Sequence, residues 1–371
     1  MAARTLSTRA LNRALLARQL LLQRKRLSVP QAVHALAGLQ SQEPRDPHVA
    51  LWSRLSGFTS LRLHTAAAKR EVVRGTLLRG TIHTVSAEDY LAFRRLLQPV
   101  LDRELKAHAH LAGGFEMPAL EAAARELLAR GPLNAQQIGE ALGATFPKAG
   151  KEGLARWVRT CIPLAMVPGD ERWGYSRPPR FLPADDWLGE ALSQATPLSA
   201  LLLRGLAAMG PASAADLRCW CGLGGTAKAL EDLRPQLRTF QDEQGRELFD
   251  LPQAPRPRAD TPAPARLLPE YDNCLLSHED RTRIVPAEHA ARFAMGPNGR
   301  RPRAVLVDGF VRAGWQMQVE KGLATLSIEP FERLSADAVQ QVEEVADALV
   351  RFMEPDADRY AVTWLTVPRA R

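Results

Sequence analysis

The sequence predicts an α+β protein: three like units of short helices, each closed by a β-hairpin, then a small β-rich domain crossed by one helix. Three observations predict it. A helical pattern recurs as RLSVPQAVHALAGLQ (26–40), GPLNAQQIGEALG (131–143) and GPASAADLRCWCGL (210–223). A proline-rich stretch, QAPRPRADTPAPAR (253–266), interrupts the chain. Beyond it the apolar period changes from helical to alternating.

Each repeat begins with a short polar residue placed to cap a helix: Ser28, Asn134 and Ser213. Apolar residues follow at helical spacing: Val33, Leu36 and Leu39; Ile138 and Leu142; Leu217 and Trp220. A second helix candidate and a Gly/Asp-turned hairpin follow each, as in KEGLARWVRTCIPLAMV with PGDERWGYSR, and TAKALEDLRPQLRTF with QDEQGRELFDL. After the first copy, HVALWSRL and AAKREVVRGTLLRGTIHTV give the same parts in longer form. Helix, turn, helix and hairpin is the order of a winged helix-turn-helix, so three tandem copies are expected. They are placed at 1–115, 116–190 and 191–252. Five prolines, counting Pro252, make 253–266 a linker. Residues 267–371 form the last domain. Within it, 303–331 reads as strands with turns at Arg312–Gly314 and Lys321–Gly322, SADAVQQVEEVADALVRFM (335–353) as a helix capped by Ser335, and RYAVTWLTV (359–367) as a strand. A β-barrel-like domain with one helix is expected there.

The net charge of +8 is unevenly placed. Residues 1–110 hold 18 Lys/Arg against 7 Asp/Glu. A basic block on a balanced chain points to a polyanion, with nucleic acid first. The seven cations and no acid of the first 26 residues also suit a transit peptide, but LNRALLARQLLLQR continues as an apolar-striped helix, so a structural first helix is expected. No run of apolar residues is long enough to span a membrane. The four cysteines, Cys161, Cys219, Cys221 and Cys274, show no zinc spacing and no disulfide framework. His108 and His110 fall on different faces of a helix and are not a metal pair. A cytoplasmic monomer is the expectation.

Five segments carry a resemblance: LNRALLARQ (11–19), LQSQEPRDPHVALWSRL (39–55), LRGTIHTVSAEDY (78–90), LPEYDNCLLSHEDRTRI (268–284) and VLVDGFVRAGWQM (305–317). On them the chain resembles the winged-helix DNA glycosylases of the AlkZ type, related to a YcaQ type. The resemblance implies three winged helices curled into a C-shaped DNA-binding channel with a C-terminal β-barrel. It implies release of bulky N7-alkylated purines and unhooking of interstrand crosslinks, in DNA repair or self-resistance to a genotoxic natural product. The partner would be double-stranded DNA carrying such lesions, with no metal or organic cofactor. The family's catalytic motif is Gln–apolar–Gln, with Asp in the last place in the YcaQ type. Gln40, Ser41 and Gln42 match it here, and Ser41 departs from the apolar middle position.

Two uncharged glutamines suit that chemistry. An N7-alkylguanine already carries a positive charge, so little leaving-group protonation is needed. A Gln oxygen can orient water, and a Gln NH2 can hold a phosphate or sugar oxygen. Gln42 is read as orienting the water and Gln40 as fixing Gln42 and the nucleotide, or the reverse. No lysine stands in the motif, so a monofunctional enzyme without lyase activity is expected. Arg45, His48, Arg79, Thr81, His83, Arg281 and Arg283 are read as DNA-binding residues; for each, ordinary packing or ion pairing is the alternative. A regulator or a lesion-shielding protein built of winged helices is the competing reading.

Overall fold

The computed structural model describes residues 4–108, 113–296 and 300–366. His110, named above with His108, lies outside the described residues. The helix Thr8–Arg18 leads, capped by Ser7. Three units then follow one plan. The first has helices Val29–Ala35, Asp46–Arg54 and Ser60–Ala68 and the hairpin Val72–Thr76 with Ile82–Ser86. The second has helices Met117–Ala129, Ala135–Thr145 and Lys151–Cys161 and the strands Leu164–Met166 and Arg180–Pro183. The third has helices Leu198–Met209, Ala214–Cys221 and Thr226–Leu233 and the hairpin Arg238–Gln241 with Glu247–Asp250.

The same local device starts the repeated helix in all three. Ser28, Asn134 and Ser213 each accept a bond from the backbone N–H three residues on, and Gln31, Gln137 and Asp216 each return a side-chain bond to the cap's own N–H. These reciprocal boxes satisfy two donors that a helix start leaves unpaired.

The units are not independent. The hairpins of the first and second join in one six-stranded sheet, because Arg74 and Gly75 pair with Met166 and Ala165. The third hairpin is instead extended by Arg4–Thr5, which runs parallel to Phe240–Gln241. The second unit keeps its own core of Leu120, Leu128, Ile138, Leu154 and Val158. The first shares its core with the C-terminal sheet, Val33, Leu51 and Trp52 packing with Val305, Leu326 and Ile328.

That C-terminal sheet has five strands: Arg266–Leu267, Arg303–Val307, Phe310–Glu320, Leu323–Pro330 and Arg359–Trp364. The sequence predicts a barrel, but the sheet is open: among the described residues its first and last strands do not pair. Helix Ala336–Met353 buries Val342, Ala346, Leu349, Val350 and Met353 in the same core as the sheet's apolar residues. A helix thus covers the apolar face that closure would otherwise bury. One turn also moves. It falls at Asp308–Gly309, not Arg312–Gly314, which lie within a strand. Both Asp308 and Gly309 have positive φ, as do Lys321 and Gly322, which suits two-residue hairpin turns whose twist matches the strands.

The proline-rich stretch lies along the first helix. Arg9 Nε, Arg13 Nε and Arg18 Nη2 donate to the carbonyls of Ala259, Thr261 and Pro255 at 2.8, 2.6 and 3.3 Å.

Candidate active site

The Gln-Ser-Gln segment is built as an extra strand on the first hairpin. Gly38 turns the chain into it with φ +93, and a Cβ there would meet Val85 at 2.6 Å, so only glycine fits. Leu39 and Gln40 then pair with Thr84 and His83. Ser41 extends the ladder, its N–H donating to the Ile82 carbonyl at 2.7 Å. Alternation along a strand puts Gln40 and Gln42 on one side and Ser41 on the other. Ser41 is fully buried, and its hydroxyl meets that of Thr84 at 2.7 Å and the Leu39 carbonyl at 2.9 Å. A hydroxyl stands where an apolar side chain was expected, without leaving a buried polar atom unpaired. Arg74 grips the segment's backbone, donating to the Ser41 carbonyl at 2.8 Å and the Gln42 carbonyl at 3.4 Å.

The two glutamines sit differently. Gln42 is exposed at the edge of a cleft of about 920 Å³. Its Oε1 takes only a long contact, 3.4 Å from the Ile82 N–H. The cleft lies between the first hairpin, the helix Gln98–Ala107 and the helices of the second unit, with Arg79, Thr81, Glu104, Lys151, Arg156 and Arg159 in its walls. Gln40 is buried, and its Oε1 accepts a 2.7 Å bond from Arg79 Nη2.

Arg79 occupies the hairpin turn in the left-handed region, φ 55 and ψ 16. Besides Gln40 it donates to Asn273 Oδ1 at 2.8 Å and the Trp220 carbonyl at 2.8 Å. No carboxylate pairs with it among the described residues. Burial pulls its pKa down to about 10, so it stays charged near neutrality. His83 Nε2 lies 3.4 Å from the same guanidinium, and its Nδ1 lies 3.0 Å from the Thr81 carbonyl. Burial, then the Arg79 charge, drives the His83 pKa down to about 3, so the ring is neutral.

Gln40, Gln42, Arg79, Thr81 and His83 therefore come together, but not all of them face outward. Three residues read as DNA contacts are corrected by their burial: His83, fully buried as described, His48 and Arg283. His48 packs against Phe58, His64 and Trp173 with ring centroids 6.3, 5.3 and 5.0 Å away. Burial holds its pKa at about 3. Arg283 is buried too, donating to the Pro211 carbonyl at 2.7 Å beside Asp216. None of the three can reach a phosphate. Arg45 and Arg281 remain half-exposed. Arg45 faces a separate groove lined by Arg301, Arg303 and Glu270. Thr81 donates its hydroxyl to the Leu78 carbonyl at 3.1 Å. Sequence reading missed Arg74, and Asn273 also joins the site, its Nδ2 donating to the Gly38 carbonyl at 3.0 Å. A lone arginine inside the apolar strand VVRGT was the available signal for the first. Among the described residues no group of three or more His, Cys, Asp or Glu is placed to hold a metal ion, and no helix is long and apolar enough to cross a membrane.

Gln42 thus stands on the rim of an open cleft with Gln40 buried beside it, in a basic chain of three like units. The model of the AlkZ-like DNA glycosylase family matches residues 33–352. The chain belongs to that family: it is a DNA glycosylase, and DNA is its partner. Its fold matches the DNA glycosylase AlkZ of Streptomyces sahachiroi at a TM-score of 0.76, with 19% sequence identity, over 97% of this chain and 100% of that one. At that identity the likeness speaks for the fold. No curated protein matches the chain in sequence.

Proposed function

We propose that this chain is a monofunctional DNA glycosylase that hydrolyses the N-glycosidic bond of bulky N7-alkylated purines, with Gln40 and Gln42 as its catalytic pair. The three units act as winged helices lining a C-shaped channel, and the enzyme works as a monomer without cofactor. The observation that carries the reading is Gln42: an exposed amide whose oxygen is barely engaged, on an open cleft beside a partner glutamine. Water accepted by Gln42 Oε1 attacks C1′. The C1′–N9 bond breaks, and its electron pair neutralises the cationic purine as it leaves. The proton lost by the water passes to solvent. Such a leaving group needs no acid, so an uncharged pair suffices where positioning and dipoles supply the acceleration. A cleft open on one side also suits adducts and crosslinked strands too bulky to flip into a tight pocket.

The test is base release from a duplex bearing one N7-alkylguanine, scored by alkaline cleavage of the abasic product, with a crosslinked duplex run in parallel. Wild type should release the base. Gln42→Ala should lose about 100-fold or more in rate, as removal of one positioned polar group does elsewhere, with DNA affinity unchanged. If wild type binds the DNA but frees no base from methyl, mustard or crosslink adducts, the substrate class is wrong.

A further inference from the structure

We infer that Arg79 is a positioning residue that sets the polarity of the glutamine pair, so that Gln40 serves as a hydrogen-bond donor and Gln42 as an acceptor; the inference rests on the glycosylase reading above. Amide oxygen and nitrogen look alike, but arginine can only donate. The 2.7 Å contact between Arg79 Nη2 and Gln40 therefore fixes the oxygen of Gln40 on the arginine side. The amide is planar, so its NH2 points away. That NH2 has no hydrogen-bond partner among the described residues, and Gln40 as a whole is 7% exposed.

Gln42 is held far more loosely. Its oxygen is held only by the long 3.4 Å contact to Ile82, and it stands on the cleft that Arg79 also lines. Adjacent same-side glutamines are chemically equivalent until something breaks the tie. The guanidinium breaks it, and its charge also polarises the Gln40 amide, which makes the NH2 a stronger donor. A donor beside the lesion suits a phosphate or sugar oxygen of the nucleotide, and an acceptor suits the attacking water.

Arg79 is held firmly enough for this. Its fork is tied at three points from distant parts of the chain: Gln40 in the first unit, the Trp220 carbonyl in the third, and Asn273 between the first two strands of the C-terminal sheet. The Asn273 amide is itself anchored to the Gly38 carbonyl, two residues before Gln40. With its donors engaged inward, Arg79 acts through Gln40 and not as a phosphate contact.

The experiment uses the N7-methylguanine duplex with enzyme in excess, reading the saturating single-turnover rate and the half-saturating enzyme concentration separately. Wild type, Arg79→Gly, Arg79→Lys, Gln40→Ala, Gln40→Glu and the double variant Arg79→Gly/Gln40→Ala are compared. Glycine suits the positive φ at this turn. Arg79→Gly should lower the saturating rate about 10- to 100-fold, the scale of a charge-assisted hydrogen bond, with half-saturation within about threefold of wild type. In the Gln40→Ala background the same change should cost nothing further, since its effect runs through Gln40. Arg79→Lys should recover part of the rate. Gln40→Glu keeps the link to Arg79 but presents no donor, so its rate should fall with Gln40→Ala. Multiplicative losses in the double variant would overturn the inference. So would wild-type activity in Gln40→Glu, or weaker binding with a salt slope reduced by about one, the mark of a phosphate contact. If Arg79→Gly does not fold, Arg79→Lys and Gln40→Glu decide. An inactive wild type fails the glycosylase reading itself, whereas an active wild type with multiplicative losses fails this inference alone.

Discussion

Arg54 and Arg79 are both enclosed by the fold, yet they are served differently. Arg54 forms a two-pronged pair with Asp272, both contacts at 2.8 Å, and adds the carbonyls of Gln19 and Ala50. Burial alone would lower its pKa; the Asp272 charge and hydrogen bonds outweigh that and raise it. Arg79 has only neutral acceptors, and burial lowers its pKa to about 10. A paired buried charge is spent on holding the structure, since its field is cancelled where it stands. An unpaired one keeps its field for whatever comes near. The two residues are joined through neighbours, Asp272 holding Arg54 and Asn273 holding Arg79. The structural pair thus anchors the loop on which the unpaired arginine depends.

The largest expected effect tests the paired side. Asp272→Ala leaves Arg54 uncompensated in the core and should cost ~3–5 kcal/mol of stability in a denaturant melt. A loss no greater than that of Arg79→Gly would erase the distinction.

A second test uses pH. Asp46 follows the motif in sequence and is buried; burial raises its pKa to about 7, against the pull of Arg303 and Arg45. The native carboxyl holds its proton up to about 7, whereas an unfolded one releases it near 4. Its contribution is therefore full at low pH and lost as pH rises from about 4 to 7. Asp46→Asn should raise stability at pH 8 by on the order of 2–4 kcal/mol and change little at pH 3. The histidines work the other way. His48 and His83 have native pKa values of about 3, so their contribution is full above about pH 6.5 and is lost on acidification towards 3. Neither titrates between pH 6 and 8, so base release should stay nearly flat there, and any inflection near 7 should vanish in Asp46→Asn.

The smallest effect lies in the motif's middle residue. Ser41→Ala strips the Thr84 hydroxyl of its partner and should cost ~1 kcal/mol, whereas Ser41→Val with Thr84→Val should be nearly neutral, because both buried hydroxyls go together. A large loss of base release in Ser41→Ala would give that hydroxyl a role beyond packing.

The readable features are local. Ser28, Asn134, Ser213 and Ser335 cap their helices through bonds three residues long, so the residues that show the device also complete it. Gln40 and Gln42 were legible as a motif, and Thr81 and His83 as candidates in the first hairpin. The rest depends on partners far along the chain. Arg79 meets residues 39, 141 and 194 positions away, and no spacing rule reaches that far. His48 and Arg283 look like any polar residue in a basic protein until the aromatic cluster and the Pro211 carbonyl close over them. The misplaced turn is a different failure. Asp308–Gly309 carried a hairpin signal that was passed over for the later Arg312–Gly314.

The first helix has a consequence for how the chain is made. Asn12 hydrogen-bonds the Gly309 carbonyl, 297 residues on, and Arg18 pairs with Asp250, 232 residues on. Synthesis runs from the amino end, so this helix emerges with its donors set and their acceptors not yet translated. Those two bonds must wait until the later residues have been made. The second unit, with a core of its own, can settle in the meantime. The helix is thus made long before these partners, and a chain stalled before residue 250 lacks both the Asp250 carboxylate and the Gly309 carbonyl.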